Sequence, residues 1–141
     1  MDYPFQYRGD QLFAEDIDLG SLAEKMETPF YLYSKAELKN NCKTAIRCGK
    51  GFDFTASYAL KANYNPALLK IIREAGMGAD IVSGGELYFA QKAGFPMDKI
   101  VFAGVGKTIP ELKQAINAGI ASINVESYAE LIVLARLAER L

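Results

Sequence analysis

The chain carries, at residues 54–63, the segment Phe54-Thr-Ala-Ser-Tyr-Ala-Leu-Lys-Ala-Asn63, an apolar run that closes on a lysine. A short apolar run bounded by polar residues is typical of a buried strand, and Lys61 then lies at the mouth of a sheet. Burial disfavours the ammonium form of a lysine, which makes the neutral amine a nucleophile able to form a Schiff base. The alternative is a lysine that ends a strand and points into water.

A repeating pattern of strands and helices runs from this segment to the end of the chain. Strands are predicted at residues 54–61, 78–83, 100–104 and 121–126, and helices near residues 66–75, 86–93, 110–118 and 128–141. The strands begin about every 21–25 residues, a spacing that favours consecutive βα units and a parallel sheet.

Capping residues mark the ends of these helices. Four segments fit the capping-box pattern S/T-x-x-E and begin at Ser34, Ser83, Thr108 and Ser127. Asn65-Pro66 has the form of an N-cap followed by proline at the first helical position. Three glycines stand where helices are expected to end: Gly76, Gly94 and Gly119.

Residues 1–50 lack this repeat and are predicted to form an N-terminal arm. Within it, Phe30–Tyr33 is predicted to be a strand and residues 35–47 a helix, and Gly49-Lys-Gly51 ends that helix. Residues 51–141 then form the repeating domain. No low-complexity segment or long linker separates the two parts.

Side chains alternate across a strand, so the residues that share a face with Lys61 can be predicted. Ser57 and Ala59 share its face, whereas Tyr58 and Leu60 point toward the helices. Polar residues of later strands, among them Asp80, Asn124 and Glu126, fall on the same interior. Apolar groups toward the helices and polar groups toward a common interior favour a TIM-type barrel, whose site lies at the carboxyl ends of its strands.

Two further candidates lie at those strand ends. An inward Asp80 could hold a cationic Schiff base or a protonated heterocycle, although a lone strand aspartate is more often a solvated end or a cap. For Glu86, a structural role as the capping partner of Ser83 is favoured over a role at the site. The segment Gly104-Val-Gly-Lys107-Thr108 lacks the spacing of a phosphate-binding P-loop, and a tight turn followed by a helix cap explains it.

Composition excludes several classes of function. The 141 residues are half apolar with a net charge of −1, which gives no electrostatic case for binding nucleic acid or an anionic membrane. The absence of histidine excludes histidine-based triads and most zinc sites within the chain. Cys42 and Cys48 are expected to be reduced thiols, and the N-terminus lacks a signal-peptide core, so a cytoplasmic location is expected.

Two motifs together resemble a known family. Tyr58-Ala-Leu-Lys61-Ala-Asn63 and Gly78-Ala-Asp-Ile-Val-Ser-Gly-Gly-Glu86 resemble the fold-type III decarboxylases that use pyridoxal phosphate, and within them the diaminopimelate decarboxylase family. The stretches at residues 28–34, 99–108 and 123–127 are similar to that family too. The resemblance therefore covers nearly the whole chain.

The resemblance implies a cofactor, pyridoxal 5′-phosphate, and a reaction. Lys61 matches the lysine that forms the Schiff base with the cofactor, and Asp80, Ala59 and Glu86 match positions that line its pocket, with Lys107 a further candidate. The implied activity is the decarboxylation of meso-2,6-diaminopimelate to L-lysine by a homodimeric enzyme that acts on a small amino acid.

The resemblance also implies that this chain is an N-terminal fragment. The family barrel has eight βα units, and the chain contains about four. The family's ring-stacking histidine, glycine-rich phosphate site and substrate-binding arginine and tyrosine lie downstream. We therefore expect a partial (βα)8 TIM-type barrel that is inactive alone, with two unpaired sheet edges that favour aggregation, dimerisation or marginal stability. Phe30–Tyr33 should join a C-terminal β-domain.

Two alternatives stay open at this point. Ornithine, arginine and carboxynorspermidine decarboxylases share the lysine motif and differ mainly in substrate-binding groups encoded downstream. A non-catalytic protein that binds pyridoxal phosphate would keep the barrel and Lys61 without the chemistry.

Overall fold

The computed structural model describes residues 3–139 and begins with a small antiparallel sheet. Its strands are β1 (Phe5–Arg8), β2 (Gln11–Ala14) and β3 (Ile17–Asp18), paired in that order and followed by α1 (Leu19–Ala23). These strands were not among the elements predicted from the sequence. The pair Gly9-Asp10 stands between β1 and β2, and a two-residue turn of this composition is a hairpin signal that could have revealed them.

The helix predicted after Phe30–Tyr33 is confirmed, whereas the strand predicted at these four residues, with a C-terminal β-domain as its expected partner, stays a prediction. The backbone of these four residues pairs with no strand in residues 3–139, and Tyr31 is 93% exposed. A strand needs a neighbour to bond its backbone amides, and residues 30–33 have none here. The following helix, α2, spans Lys35–Cys48.

The repeating part forms a four-stranded parallel sheet with a helix after each strand. The strands, in spatial order, are β4 (Ser57–Ala59), β5 (Gly78–Ile81), β6 (Ile100–Phe102) and β7 (Ser122–Ile123). The helices are α3 (Pro66–Glu74), α4 (Gly84–Ala93), α5 (Ile109–Ala118) and α6 (Tyr128–Ala138). All four predicted units are confirmed. The strands are shorter than predicted, because residues 54–56 and 124–126 lie outside the paired ladder.

The predicted helix ends are largely confirmed. The hydroxyls of the four predicted N-caps each accept a hydrogen bond from the amide three residues later. Only the cap at Thr108 is a complete capping box, in which the Glu111 carboxylate also accepts from the Thr108 amide. Gly94 and Gly119 take left-handed conformations with φ of 81° and 66°, which release the chain from α4 and α5. The end predicted at residue 141 lies outside the described residues.

The hydrophobic core lies between one face of the parallel sheet and the helices. Side chains of β5 and β6 that are 0% exposed (Ala79, Ile81, Ile100 and Phe102) pack with apolar residues of α3, α4 and α5. The alternate positions are aligned across the strands in a single row, Ala59–Asp80–Val101–Ser122. We call the face that carries this row the polar face. The prediction that large apolar side chains face the helices is therefore confirmed, and the fold class is α/β. On the polar face, Asp80 and Ser122 are polar, whereas Ala59 and Val101 are apolar.

No helix in residues 3–139 is both long and apolar enough to cross a membrane.

Candidate functional site

The carboxyl ends of the four parallel strands lie side by side. Lys61 follows β4, Asp80 lies within β5, and the turn at Gly104 follows β6. Ala59 pairs with Asp80 in the register of β4 and β5, so these two candidates share the polar face. Of the predicted site residues, the fold thus brings Ala59 and Asp80 together, with Lys61 two residues beyond Ala59.

Lys61 lies in a 3-10 turn, Leu60–Ala62, directly after β4. Leu60 is 0% exposed and fixes the turn to the core, whereas Lys61 itself is exposed. Its amine makes no hydrogen bond or ion pair with any described residue. The expectation that Lys61 is buried is therefore wrong for this structure, because residues 3–139 leave the strand-end side of the sheet open.

Asp80 carries an unusual carboxylate. Its Oδ1 atom is buried and has no hydrogen-bond partner among residues 3–139. A buried carboxylate oxygen without a partner is unfavourable, and such an atom points to a donor that the site receives from elsewhere. Asp80 can therefore accept a hydrogen bond from a bound cationic or N–H group.

Glu86 serves as a helix cap in this structure. Its Oε2 atom accepts a hydrogen bond from the Val82 amide at 2.8 Å, and its own amide donates to Ser83 Oγ. The capping interpretation is thus confirmed, with the carboxylate bonded one residue earlier than a standard capping box requires. The contact of Glu86 with a cofactor stays a prediction.

A second carboxylate lies at the start of α4. Glu111, from the first turn of α5, accepts from the Gly84 amide at 2.8 Å with Oε1, and its Oε2 accepts from the Thr108 amide and hydroxyl. A Cβ on Gly84 would lie 2.9 Å from Gln114 Oε1 and 3.1 Å from Glu111 Cγ, so a larger residue there would displace these two side chains of α5. Glu111 thus connects the N-termini of two consecutive helices.

The Glu111 bridge predicts a dependence of stability on pH. The Gly84 amide, followed by the Thr108 hydroxyl and amide, lowers the pKa of Glu111 from its ordinary value of 4.5. A lowered folded-state pKa stabilises the fold above pH 4.5, and that stabilisation is lost as the pH falls through the folded value. In urea titrations at pH 7 to 3, the destabilisation caused by Glu111→Gln should therefore shrink toward low pH. Glu24→Gln, at the exposed end of α1, controls for the lost charge. A destabilisation by Glu111→Gln that stays the same from pH 7 to pH 3 would contradict the prediction.

Lys107 is a structural residue. Its side chain is 1% exposed, and its Nζ atom donates to Gly104 O, Asn124 O and Glu130 Oε1, each at 2.7 Å. An ammonium group has three donors, so none is left for a ligand. Lys107 joins the ends of β6 and β7 to α6. This bond was not predicted, because the capping-box pattern at Ser127 already explains a glutamate at position 130.

A concavity lies away from these strand ends, between the antiparallel sheet and α2. It has a volume of about 980 Å³ and is lined by the antiparallel sheet and α2, with charged side chains that include Arg8, Asp16 and Lys43. Within residues 3–139 no cluster of three or more metal-binding side chains is present. The polar face is an open surface here, so the candidate site is defined by its side chains and not by an enclosed pocket.

Comparisons with known proteins agree with these motifs. The family model described as pyridoxal-dependent decarboxylase, pyridoxal binding domain, matches residues 35–141. A diaminopimelate decarboxylase of Aquifex aeolicus is 50% identical over 137 residues, which are 96% of this chain and 32% of that protein. A diaminopimelate decarboxylase of Pseudomonas fluorescens is 42% identical over 90% of this chain and 30% of its own length.

The fold agrees as well. A crystal structure of diaminopimelate decarboxylase from M. jannaschii with L-lysine superposes with a TM-score of 0.88 at 37% identity, covering 96% of this chain and 33% of that one. The chain thus spans about a third of the length of these relatives. The match covers the parallel sheet, its helices and the Lys61 segment, and it shows that the chain belongs to the pyridoxal-dependent decarboxylase family, as part of its pyridoxal-binding domain.

Proposed function

We propose that the polar face binds pyridoxal 5′-phosphate, with Lys61 Nζ as its covalent anchor, in an enzyme that decarboxylates meso-2,6-diaminopimelate to L-lysine. One observation carries the proposal: an unbonded lysine amine and an unpartnered, buried carboxylate oxygen stand at the ends of two adjacent strands. The family supports the cofactor. The names of the relatives and the bound L-lysine of one solved structure support the substrate.

The residues present fit this cofactor. An aldehyde needs a primary amine that is accessible, which Lys61 offers. Asp80 Oδ1 can accept from a protonated nitrogen and hold its positive charge in place. Ala59, paired with Asp80, has a side chain small enough to leave space above the sheet. When bound, the cofactor supplies the electron sink for cleavage of the bond to the carboxylate.

The start of α4 is unsuited to the cofactor's phosphate. The N-terminus of a helix commonly binds anions, but the carboxylates of Glu86 and Glu111 already accept the Val82 and Gly84 amides. A phosphate there would be repelled by both. Glu86 would then act on the cofactor indirectly, by fixing the backbone of residues 82–86 beside the site.

We further propose that the sheet is the first half of an eight-stranded barrel. Each of β4 and β7 pairs on one side only within the described residues, and the helices cover one face while the polar face stays open. Further strands at both edges would close a barrel with the polar row inside. In this proposal Phe30–Tyr33 pairs with a β-domain, and the whole enzyme is a cytoplasmic homodimer.

Reductive trapping tests the cofactor site. The protein expressed from its natural reading frame is incubated with pyridoxal phosphate, reduced with borohydride and digested, and the modified lysine is identified by mass spectrometry. Lys61 should carry the label at substoichiometric cofactor. Label spread over exposed lysines such as Lys70 and Lys113 would contradict the proposal.

A substrate panel tests the activity. Release of CO₂ is measured with meso-diaminopimelate, ornithine and arginine, and we expect turnover with the first. Turnover of ornithine or arginine instead would show that the protein is another decarboxylase. Labelling of Lys61 without turnover of any substrate would show that it binds the cofactor without catalysing decarboxylation. A polypeptide limited to residues 1–141 should show no turnover.

A further inference from the structure

The position of Lys61 depends on a turn with two anchored ends. On one side Leu60 is buried in the core. On the other side the Asn63 side chain accepts from the Asn65 amide at 2.9 Å, and the Asn65 side chain accepts from the Ala67 amide in the first turn of α3. The Lys61 side chain has no bond of its own to a described residue. The backbone of this turn therefore sets the point and the direction from which the flexible Lys61 side chain extends its amine.

Tyr58, in β4, makes a hydrogen bond to the end of this turn. Its hydroxyl donates to the Asn63 carbonyl oxygen at 3.1 Å, across the four intervening residues, which include Lys61. The ring is half-buried and packs against the core, so the hydroxyl is carried by a side chain with little freedom. Burial raises the pKa of the Tyr58 phenol, which keeps the hydroxyl protonated and able to donate at neutral pH.

The ring and the hydroxyl of Tyr58 thus have separate roles. The ring contributes apolar packing, which phenylalanine would reproduce. The hydroxyl contributes one hydrogen bond whose acceptor is the backbone on the far side of Lys61. A residue needed for packing alone would not require the oxygen.

We propose that Tyr58 is a positioning residue for Lys61: its bond to the Asn63 carbonyl holds the turn in the conformation that presents the lysine amine to the cofactor. This inference rests on the proposed function of Lys61. It predicts that loss of the hydroxyl slows covalent attachment of pyridoxal phosphate without unfolding the protein, because one bond of the turn is lost while the core is kept.

The test compares the wild type with Tyr58→Phe, with Tyr7→Phe on the exposed face of β1 as the matched control. The rate of borohydride-trapped attachment at Lys61 should fall about tenfold in Tyr58→Phe, the equivalent of one hydrogen bond. Amide hydrogen exchange at residues 60–65 should accelerate about as much, while exchange in α5 and the thermal midpoint stay near the wild-type values. Tyr7→Phe should match the wild type in every measurement.

The outcomes separate this inference from the proposed function. Equal attachment rates in Tyr58→Phe and wild type, with Lys61 labelled in both, would overturn the positioning role alone. Absence of label at Lys61 in the wild type would overturn both proposals. Accelerated exchange throughout the molecule would also overturn the positioning role, because it would show that the hydroxyl supports the whole fold and not this turn.

Discussion

Replacing Lys61 with alanine in the whole enzyme proposed above, expressed from its natural reading frame, is expected to lower kcat for decarboxylation by at least about 10³-fold, the scale seen when a covalent catalytic group is removed. The amine that anchors the cofactor is lost, and no other lysine among the described residues follows β4 at the polar face. Lys61→Arg should be as inactive, because a guanidinium keeps the charge but is not a nucleophilic amine. The measurement is CO₂ release from meso-diaminopimelate with saturating pyridoxal phosphate.

The same substitution should leave the fold almost unchanged. Lys61 is exposed and makes no bond to residues 3–139, and substitutions at such positions usually change the free energy of unfolding by less than about 0.5 kcal/mol. Lys70→Ala, on the exposed side of α3, is the matched control and should retain full activity. Activity of Lys61→Ala within tenfold of the wild type would exclude Lys61 as the covalent anchor.

Replacing Lys107 with methionine is expected to destabilise the fold by about 3–5 kcal/mol, the cost of removing one partner from a buried ion pair. Glu130, with a side chain that is 9% exposed, would keep a buried charge without its cation. The Gly104 and Asn124 carbonyls would lose their donor as well. Urea unfolding of the purified protein, followed by circular dichroism, measures the change.

The double variant Lys107→Met, Glu130→Met identifies the cause. With both charges gone, much of the lost stability should return, since apolar pairs of similar volume often replace buried ion pairs at little cost. Lys113→Met, exposed on α5, should change the free energy of unfolding by less than about 0.5 kcal/mol. A loss below 1 kcal/mol in Lys107→Met would show that the three bonds to its amine contribute little.

Local signals in the sequence predicted the repeating part of the fold well. Each strand is followed by a hydroxyl or amide N-cap, and each cap bonds its own helix within three residues, so the information is contained in short segments. The antiparallel sheet at residues 5–18 was missed because its strands are short and their apolar alternation is weak. Only the turn at Gly9-Asp10 signals it.

The candidate site was predicted in part. Ala59 and Asp80 share a face because parallel register and strand alternation follow from sequence spacing. The capping bonds of Glu111 to Thr108 were predicted. Its bridge to the Gly84 amide and the roles of Lys107 and Tyr58 could not be predicted, because these partners come from another βα unit or are backbone carbonyls. The exposure of Lys61 could not be predicted from the sequence either, because it depends on which segments cover the polar face.

Substitutions in the row Ala59–Asp80–Val101–Ser122 and substitutions in the core should have different consequences. The members of the row lie at one level of the sheet and point away from the core, whereas the residues between them, such as Ile81 and Phe102, hold the strands to the helices. A substitution in the row can therefore alter the shape and charge of the proposed site, one strand at a time, without disturbing the packing of the core. If the polar face is the site proposed above, its substrate preference can change during evolution while the core behind it is conserved. One fold can serve many reactions in this way.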